Sequence, residues 1–272
     1  MPKSVDMISK NQIKYVRSLQ MKKHRKAEGV FVAEGHKLVD DVMGAFECTY
    51  VAATSDWLAT HERWVERLRS KGVEVDDVTE DELRRVSLLE TPQQVLAIFR
   101  QPRYEVDVND VVRRQLCLAL DDVQNPGNLG TIVRVADWFG IEHVFCSSGC
   151  ADVYNPKTVQ ATMGALARVA VHELDLEAAL VGLGTDVPVY GTFLDGGSLY
   201  EMPLAQHGVI VMGNEGRGVS EGVARFVTER LWIPNYPAGR ATSESLNVAI
   251  ATAVVCAEFR RRQTSSSNLS LP

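Results

Sequence analysis

The last quarter of the chain limits the fold most tightly. From His207 to Arg262 it reads as a buried strand (Val209 to Met212), a loop with Gly213, Gly216 and Gly218, a helix, and a short strand (Leu231 to Ile233). A second loop and a long helix from Leu246 follow. In an open parallel α/β sheet, ligands sit at the carboxyl ends of strands, so the two loops mark where chemistry is expected. The final helix is apolar on nearly every face through VAIATAVVCA (248–257), which requires cover on several sides: it is central, or it lies in a dimer interface.

The glycine order of the first loop, G-N-E-G-R-G, matches neither the dinucleotide fingerprint nor the P-loop. Glu215 stands in its middle, where a carboxylate repels a pyrophosphate. A ligand without phosphates and with positive charge fits better, and S-adenosylmethionine is such a ligand. A plain tight turn accounts for the glycines equally well.

Upstream, LCLALDD (116–122) is an apolar strand that runs into VQNPGNLGTIVRVADWFG (123–140). With Asn128 as N-cap, Leu129, Ile132, Val133, Ala136 and Phe139 form the buried stripe of a helix. Arg134 lies off that stripe and leans back toward Asn125, whose backbone Pro126 pushes extended, so the two are expected to share one site. A surface cation and a turn former are the plainer alternatives. Strands at 142–147, 168–172 and 187–194 alternate with helices at 156–165 and 176–182. DGGS (195–198) reads as a loop. Ser243, Ser245 and Asn247 stand at the start of the final helix, where capping explains one of them and substrate binding is open to the others.

The first hundred residues show the same rhythm, with strands at VFVAE (30–34), TYVAAT (49–54), VEVDDV (73–78) and QVLAIFR (94–100) between helices. The charged, proline-marked stretch 101–112 reads as a linker. It divides a domain of residues 1–105 from one of residues 113–262, and QTSSSNLSLP (263–272) reads as a disordered tail. The net charge of −6 argues against coating nucleic acid by overall field, yet Lys3, Lys10, Lys14, Arg17, Lys22, Lys23, Arg25 and Lys26 face only Asp6 in the first 26 residues. The KKHRK run (22–26) is expected where a helix ends and a loop begins. There Lys22, Lys23, Arg25 and Lys26 suit a phosphate backbone, and a solvated helix end is the plainer reading.

No apolar run approaches the roughly 18 residues that span a bilayer, and the N-terminus lacks an apolar export core, so a cytoplasmic location is expected. Five scattered cysteines without a C-x-x-C pair read as reduced core thiols, and six scattered histidines lack metal-ligand spacing.

Three stretches, NPGNLGTIVRVADWFG, VIVMGNEGRGVS and IPNYPAGRATSESLNVAIA, resemble in order the motifs of the SpoU/TrmH family of RNA 2′-O-ribose methyltransferases in the SPOUT superfamily. QATMGAL (160–166) resembles an intervening family segment. KKHRKAEGVFVAEGHKLVDD and TPQQVLAIF resemble the family's accessory RNA-binding domain, which is similar to small ribosomal proteins. The resemblance implies an α/β methyltransferase domain with a parallel sheet and a trefoil knot, a homodimer, and methyl transfer from S-adenosylmethionine to a ribose hydroxyl, ribosomal RNA favoured over transfer RNA, without a metal. It implies catalytic roles for Asn125, Arg134, Glu215, Ser245 and Asn247. It implies donor contacts at Thr192, Phe193, Leu194, Gly213, Asn214, Gly218, Ile233, Pro234, Ser245 and Leu246. The loop between Ile233-Pro234 and Ser245-Leu246-Asn247 is longer than the family's and carries an extra proline.

A chemical requirement accompanies the resemblance: the 2′-hydroxyl must lose a proton while it is held in line with the departing sulfur, so positioning dominates. Two other readings stay open, a non-catalytic RNA-binding or assembly protein of the same fold and a nucleotide-dependent oxidoreductase. The glycine order opposes the second.

Overall fold

The computed structural model describes residues 8–237, 240, 243 and 245–266, and it divides into two compact units. The first comprises the chain up to Arg103 together with Asp152–Ala167; the second comprises Tyr104–Ala151 and the chain from Arg168 onward. The division therefore does not follow a single cut near the expected linker.

In the first unit, helices α1 (Lys10–Ser18) and α2 (Lys22–Glu28) lead into β1 (Val30–Glu34). Then follow α3 (His36–Val42), β2 (Cys48–Ala53), α4 (Ser55–Thr60), α5 (Glu62–Ser70), β3 (Glu74–Asp77), α6 (Glu80–Val86) and β4 (Val95–Arg100). The strands lie in the order β1-β4-β2-β3, antiparallel except for the parallel pair β2–β3. Strand β1 is an unbroken buried run, and Gly29 starts it by taking the left-handed conformation (φ 63°) that ends α2. One side of this sheet packs Val30, Val32, Leu96 and Ile98 against Val16, Leu19, Leu83 and Val86 of the helices. Phe31, on the opposite face, meets the ring of Tyr154 at 5.3 Å.

In the second unit, α7 (Val108–Arg114) precedes β5 (Leu116–Leu120), α8 (Pro126–Trp138) and β6 (His143–Cys146). The chain then returns to the first unit through the segment that holds Tyr154 and helix α9 (Pro156–Thr162), which packs on β1. Back in the second unit come β7 (Ala170–Glu173), α10 (Leu176–Val181), β8 (Val189–Ser198), β9 (Gly208–Met212), α11 (Glu221–Ala224), β10 (Glu229–Trp232) and α12 (Val248–Ser266). Six strands form one sheet in the order β10-β8-β9-β5-β6-β7, every pair parallel. The two central strands, β5 and β9, are buried along their whole length, as a parallel sheet covered on both faces requires. Helix α8 packs on α12, and Arg260 of α12 donates to the carbonyls of Phe139 and Gly140 at 2.6 and 3.0 Å, closing the end of α8.

Several expectations are corrected. The KKHRK run is not a loop edge but most of α2, and Arg25 is only 1% exposed. Its guanidinium donates to the carbonyls of Leu19 (2.6 Å) and Gln20 (2.7 Å) and pairs with the Asp152 carboxylate of the inserted segment. Arg25 is thus unable to serve a phosphate, whereas Lys22, Lys23 and Lys26 are exposed. Part of the supposed linker is helix α7, with Val112 fully buried. DGGS is strand: Gly197 and Ser198 pair with Leu231 and Trp232 of β10, and a Cβ at Gly196 would lie 2.7 Å from the Arg230 carbonyl carbon. Its glycines permit a close backbone approach rather than a turn. Helix α12 continues to Ser266, into the segment read as a tail; residues 267–272 lie outside the described residues.

A buried guanidinium with its carboxylate removed, or the reverse, leaves one uncompensated charge, which costs about 3–5 kcal/mol. Arg25→Ser should therefore lower stability to urea by about 3 kcal/mol or more. Lys23→Ser, on the exposed side of the same helix, should leave the urea midpoint nearly unchanged.

Candidate active site

The site is built on the neighbouring central strands. Strands β5 and β9 pair in parallel from Leu116 opposite Gly208 to Leu120 opposite Met212, so their carboxyl ends finish together. The Asp121 N–H donates to the Met212 carbonyl at 2.9 Å, and the Asp121 carboxylate accepts the N–H of Ser220 at 2.7 Å. These two contacts tie the loop after β5 to both ends of the loop after β9.

The latter loop, Gly213–Val219, folds on itself. Asn214 and Gly218 exchange backbone hydrogen bonds of 2.9 Å, and the Asn214 side chain accepts the N–H groups of Gly216 (2.9 Å) and Arg217 (3.1 Å). A Cβ on Gly213 would overlap Gly218 and Val219, so glycine is required there by the loop's own closure. This turn presents Glu215, whose carboxylate accepts the Asn128 amide N–H at 2.8 Å. The other end of the Asn128 amide accepts from Asn247 at 3.0 Å. Asn247 in turn caps α12, its side-chain oxygen accepting from the N–H groups of Ala249 (3.0 Å) and Ile250 (3.4 Å). Three motifs far apart in sequence are thereby joined through one hydrogen-bonded chain, Asn247–Asn128–Glu215.

The arrangement alters the roles expected from the sequence. Asn125, not Asn128, is the N-cap of α8: its backbone is extended (φ −81°, ψ 119°), Pro126 takes the first helical position, and its side chain accepts from Gly127 (2.8 Å) and Asn128 (3.2 Å). The side chain of Asn125 is occupied in capping, a role typically worth about 1 kcal/mol, and Asn128 is the asparagine that joins the site. A proline one place after the first asparagine was the available signal, since it makes Asn125 the cap and leaves Asn128 with no such duty. Leu129, Ile132, Val133 and Ala136 are buried as the spacing predicts.

Arg134 is exposed, nine residues beyond Asn125, a rise of about 13.5 Å along the helix axis. It shares its face with Trp138, which is 84% exposed. The structure does not bring Arg134 and Asn125 into one site within this chain. Ser245 stands exposed two residues before Asn247.

The expected donor-binding residues lie along the adjoining edge of the sheet. Thr192, Phe193 and Leu194 are on β8, Gly213 follows β9, and Ile233 and Pro234 follow β10, three strands that are direct neighbours. Leu194 is 75% and Leu246 50% exposed. The Phe193 ring carries the Arg230 guanidinium 3.6 Å from its centroid, and Arg230 pairs with Asp195, whose carboxyl it holds below the usual range. Gly213, Ile233 and Leu246 make no backbone–backbone hydrogen bond beyond the sheet ladders among the described residues. Main-chain donors and acceptors beside apolar side chains, with the Arg230 guanidinium paired to Asp195, fit a ligand that has an aromatic base and a positive rather than a phosphate-bearing portion. The Asn214 side chain shapes the loop, its amide being spent on Gly216, Arg217 and the Asp122 carbonyl (2.8 Å), whereas Gly218 is exposed. Of the lengthened loop, Ala238, Gly239, Ala241, Thr242 and Glu244 lie outside the described residues.

Strand-end loops joined in this way at the centre of a six-stranded parallel sheet define the class, and the chain belongs to the SpoU rRNA methylase family, whose model matches residues 115–257. Residues 10–97 match the MRM3-like substrate binding domain. The 23S rRNA guanosine 2′-O-methyltransferase RlmP of Bacillus subtilis is 31% identical over 260 residues, covering 95% of this chain and 99% of that protein. A TrmH-family protein from Porphyromonas gingivalis superposes with a TM-score of 0.80 at 44% identity, covering 94% of this chain and 99% of its own. The AdoMet-bound rRNA methyltransferase of Sinorhizobium meliloti superposes with a TM-score of 0.81 at 30% identity, over 92% of this chain and 94% of its own.

Proposed function

We propose that this protein transfers a methyl group from S-adenosylmethionine to a ribose 2′-hydroxyl of ribosomal RNA. The observation that carries the reading is the Asn247–Asn128–Glu215 chain, which fixes a carboxylate at the joined ends of β5 and β9, beside the edge formed by β8, β9 and β10. Bound there, the donor supplies an electrophilic methyl group on a positively charged sulfur. The protein's part is to seat the donor against Phe193, Leu194, Ile233, Pro234 and Leu246, to hold the hydroxyl in line, and to receive its proton. Glu215 is fixed through one carboxylate oxygen by Asn128 and can direct the other at the hydroxyl. Asn128 cannot rotate without breaking its bond to Asn247, so the first turn of α8 and the start of α12 act together as a mount for Glu215. Ser245, exposed next to Leu246, is assigned to contact with the ribose or the donor.

The family resemblance supports a trefoil knot in the second unit, a ribosomal-protein-like RNA-binding role for the first, and a homodimer. Trp138 on α8 and Ile250 on α12, 84% and 54% exposed on two helices that pack together, support a dimer formed through these helices. Arg134, on the Trp138 side of α8, is carried into that seam. There its permanent charge and forked donors suit a phosphate or a developing alkoxide better than proton acceptance. Lys22, Lys23 and Lys26 are assigned to RNA phosphates.

Calorimetry with S-adenosylmethionine, S-adenosylhomocysteine and NAD should show binding of the first two alone; binding of NAD alone would return the protein to the oxidoreductase class. Asn128→Ala should retain donor affinity while kcat for methylation of ribosomal RNA falls about a hundredfold, as expected for a group that acts in the transition state. Donor binding without turnover by the wild-type protein on any ribosomal RNA would favour a non-catalytic assembly role.

Serine at Lys22, Lys23 and Lys26 together should flatten the salt dependence of RNA binding by about 0.7 to 0.9 log units for each phosphate no longer neutralised. An unchanged slope would make these lysines ordinary surface charge. Val254→Asp, in the half-buried part of α12, should shift sedimentation from dimer to monomer, and an active wild-type monomer at micromolar concentration would refute the dimer.

A further inference from the structure

The contacts around Asp122 exceed what is needed to end a strand. Its φ is +62°, a left-handed conformation that glycine adopts freely and an L side chain adopts at a steric cost, less for aspartate and asparagine than for most. Its carboxylate fills space that exists only because residue 149 is glycine: a Cβ there would overlap it. From this position Asp122 makes four polar contacts. Its N–H donates to Ser147 Oγ at 2.9 Å, and its carbonyl accepts from Asn214 Nδ2 at 2.8 Å. Its carboxylate accepts from Gln124 Nε2 at 3.3 Å and forms an ion pair with Arg217.

Two of these contacts reach the same turn. Asn214 and Arg217 flank Glu215, one residue before and two residues after it, and both are fastened to Asp122. The ion pair contributes little to stability, because Arg217 is 71% exposed and an exposed pair is screened and entropically costly. Stability therefore does not account for a strained aspartate with a bare glycine kept opposite it. Placement does. Strained backbone persists where surrounding contacts over-determine it, as at ligand clamps and active sites.

We propose that Asp122 is a positioning residue for the methyl transfer assigned above, a latch that holds the 214–217 turn against the end of β5 so that Glu215 meets Asn128. The Asp122–Arg217 pair sets where the turn lies, and the Asn214 bond to the Asp122 carbonyl sets its tilt. Asp122 touches neither reactant; it acts through Glu215.

The test compares Asp122→Gly, Asp122→Asn, Arg217→Ala and the Asp122→Gly/Arg217→Ala double variant. Glycine suits the left-handed backbone, so the first variant removes the carboxylate without adding strain. Asparagine keeps an oxygen acceptor and tolerates the same φ. Hydrogen exchange at the Gly216 and Arg217 amides, calorimetric S-adenosylmethionine affinity, and kcat and KM on in vitro transcribed large-subunit ribosomal RNA are measured for each. Asp122→Gly and Arg217→Ala should each speed exchange and lower kcat about tenfold, with donor affinity within about twofold. The double variant should be no worse than either single variant, because the two residues act as a unit. Asp122→Asn should recover part of kcat. Additive losses, an unchanged kcat in Asp122→Gly, or unchanged exchange beside an active wild type would overturn the latch. Absence of methyl transfer by the wild-type protein would instead overturn the reaction on which it rests.

Discussion

The in-register parallel pairing of β5 with β9 is the constraint on which the second unit depends. Five consecutive residue pairs, from Leu116–Gly208 to Leu120–Met212, bring to one level two strands separated by more than eighty residues of chain. A slip of one residue would turn the side chains of either strand to the opposite face and separate Asp121 from the Met212 carbonyl and the Ser220 N–H. Both strands are apolar throughout and buried on both faces, so their register is held by packing as well as by the ladder. The loops that follow inherit that alignment, and the Asn128–Glu215 bond is available only because of it.

The polar groups at this junction are nearly all employed, each in a distinct way. Asp121 joins the two loops, Asn125 caps α8, Asn214 closes the glycine turn, and Asn247 caps α12 with its oxygen while its nitrogen reaches Asn128. Asparagine recurs because its amide carries donor and acceptor on one short, uncharged group, so it can bridge backbone to side chain without burying charge. Glu215 is the member with exposed carboxylate capacity left over, and it is where substrate chemistry is assigned.

The sequence makes legible whatever depends on local periodicity. Strand β1 falls at the expected residues, β5 begins at Leu116, and the α8 stripe is buried at four of its five expected positions, while Phe139, at the helix end, is half-buried. What depends on a distant partner is not legible. The burial of Arg25 depends on Asp152, 127 residues away, so a run of five basic or near-basic residues gives no hint that one member turns inward. Gly196 and Gly197 read as a turn because β10, whose approach they permit, lies more than thirty residues later. Asn128 was obscured by a local role that proved to belong to Asn125. The family motifs point to these loops, and only the hydrogen bonds show which side chains meet there.

The segment 152–167 gives the chain an arrangement that a linear domain map conceals. The family models meet at a gap between residues 97 and 115, yet the polypeptide passes between the two compact units three times, after Arg103, after Ala151 and after Ala167. A fragment cut at the linear boundary would carry β1 without Tyr154 to cover Phe31 and without the carboxylate that neutralises Arg25. The two halves are therefore genetically adjacent but not separable as folded objects. A first unit threaded in this way cannot be gained, lost or exchanged by a single crossover in the gene, and its association with the methyltransferase half is enforced by the path of the chain itself.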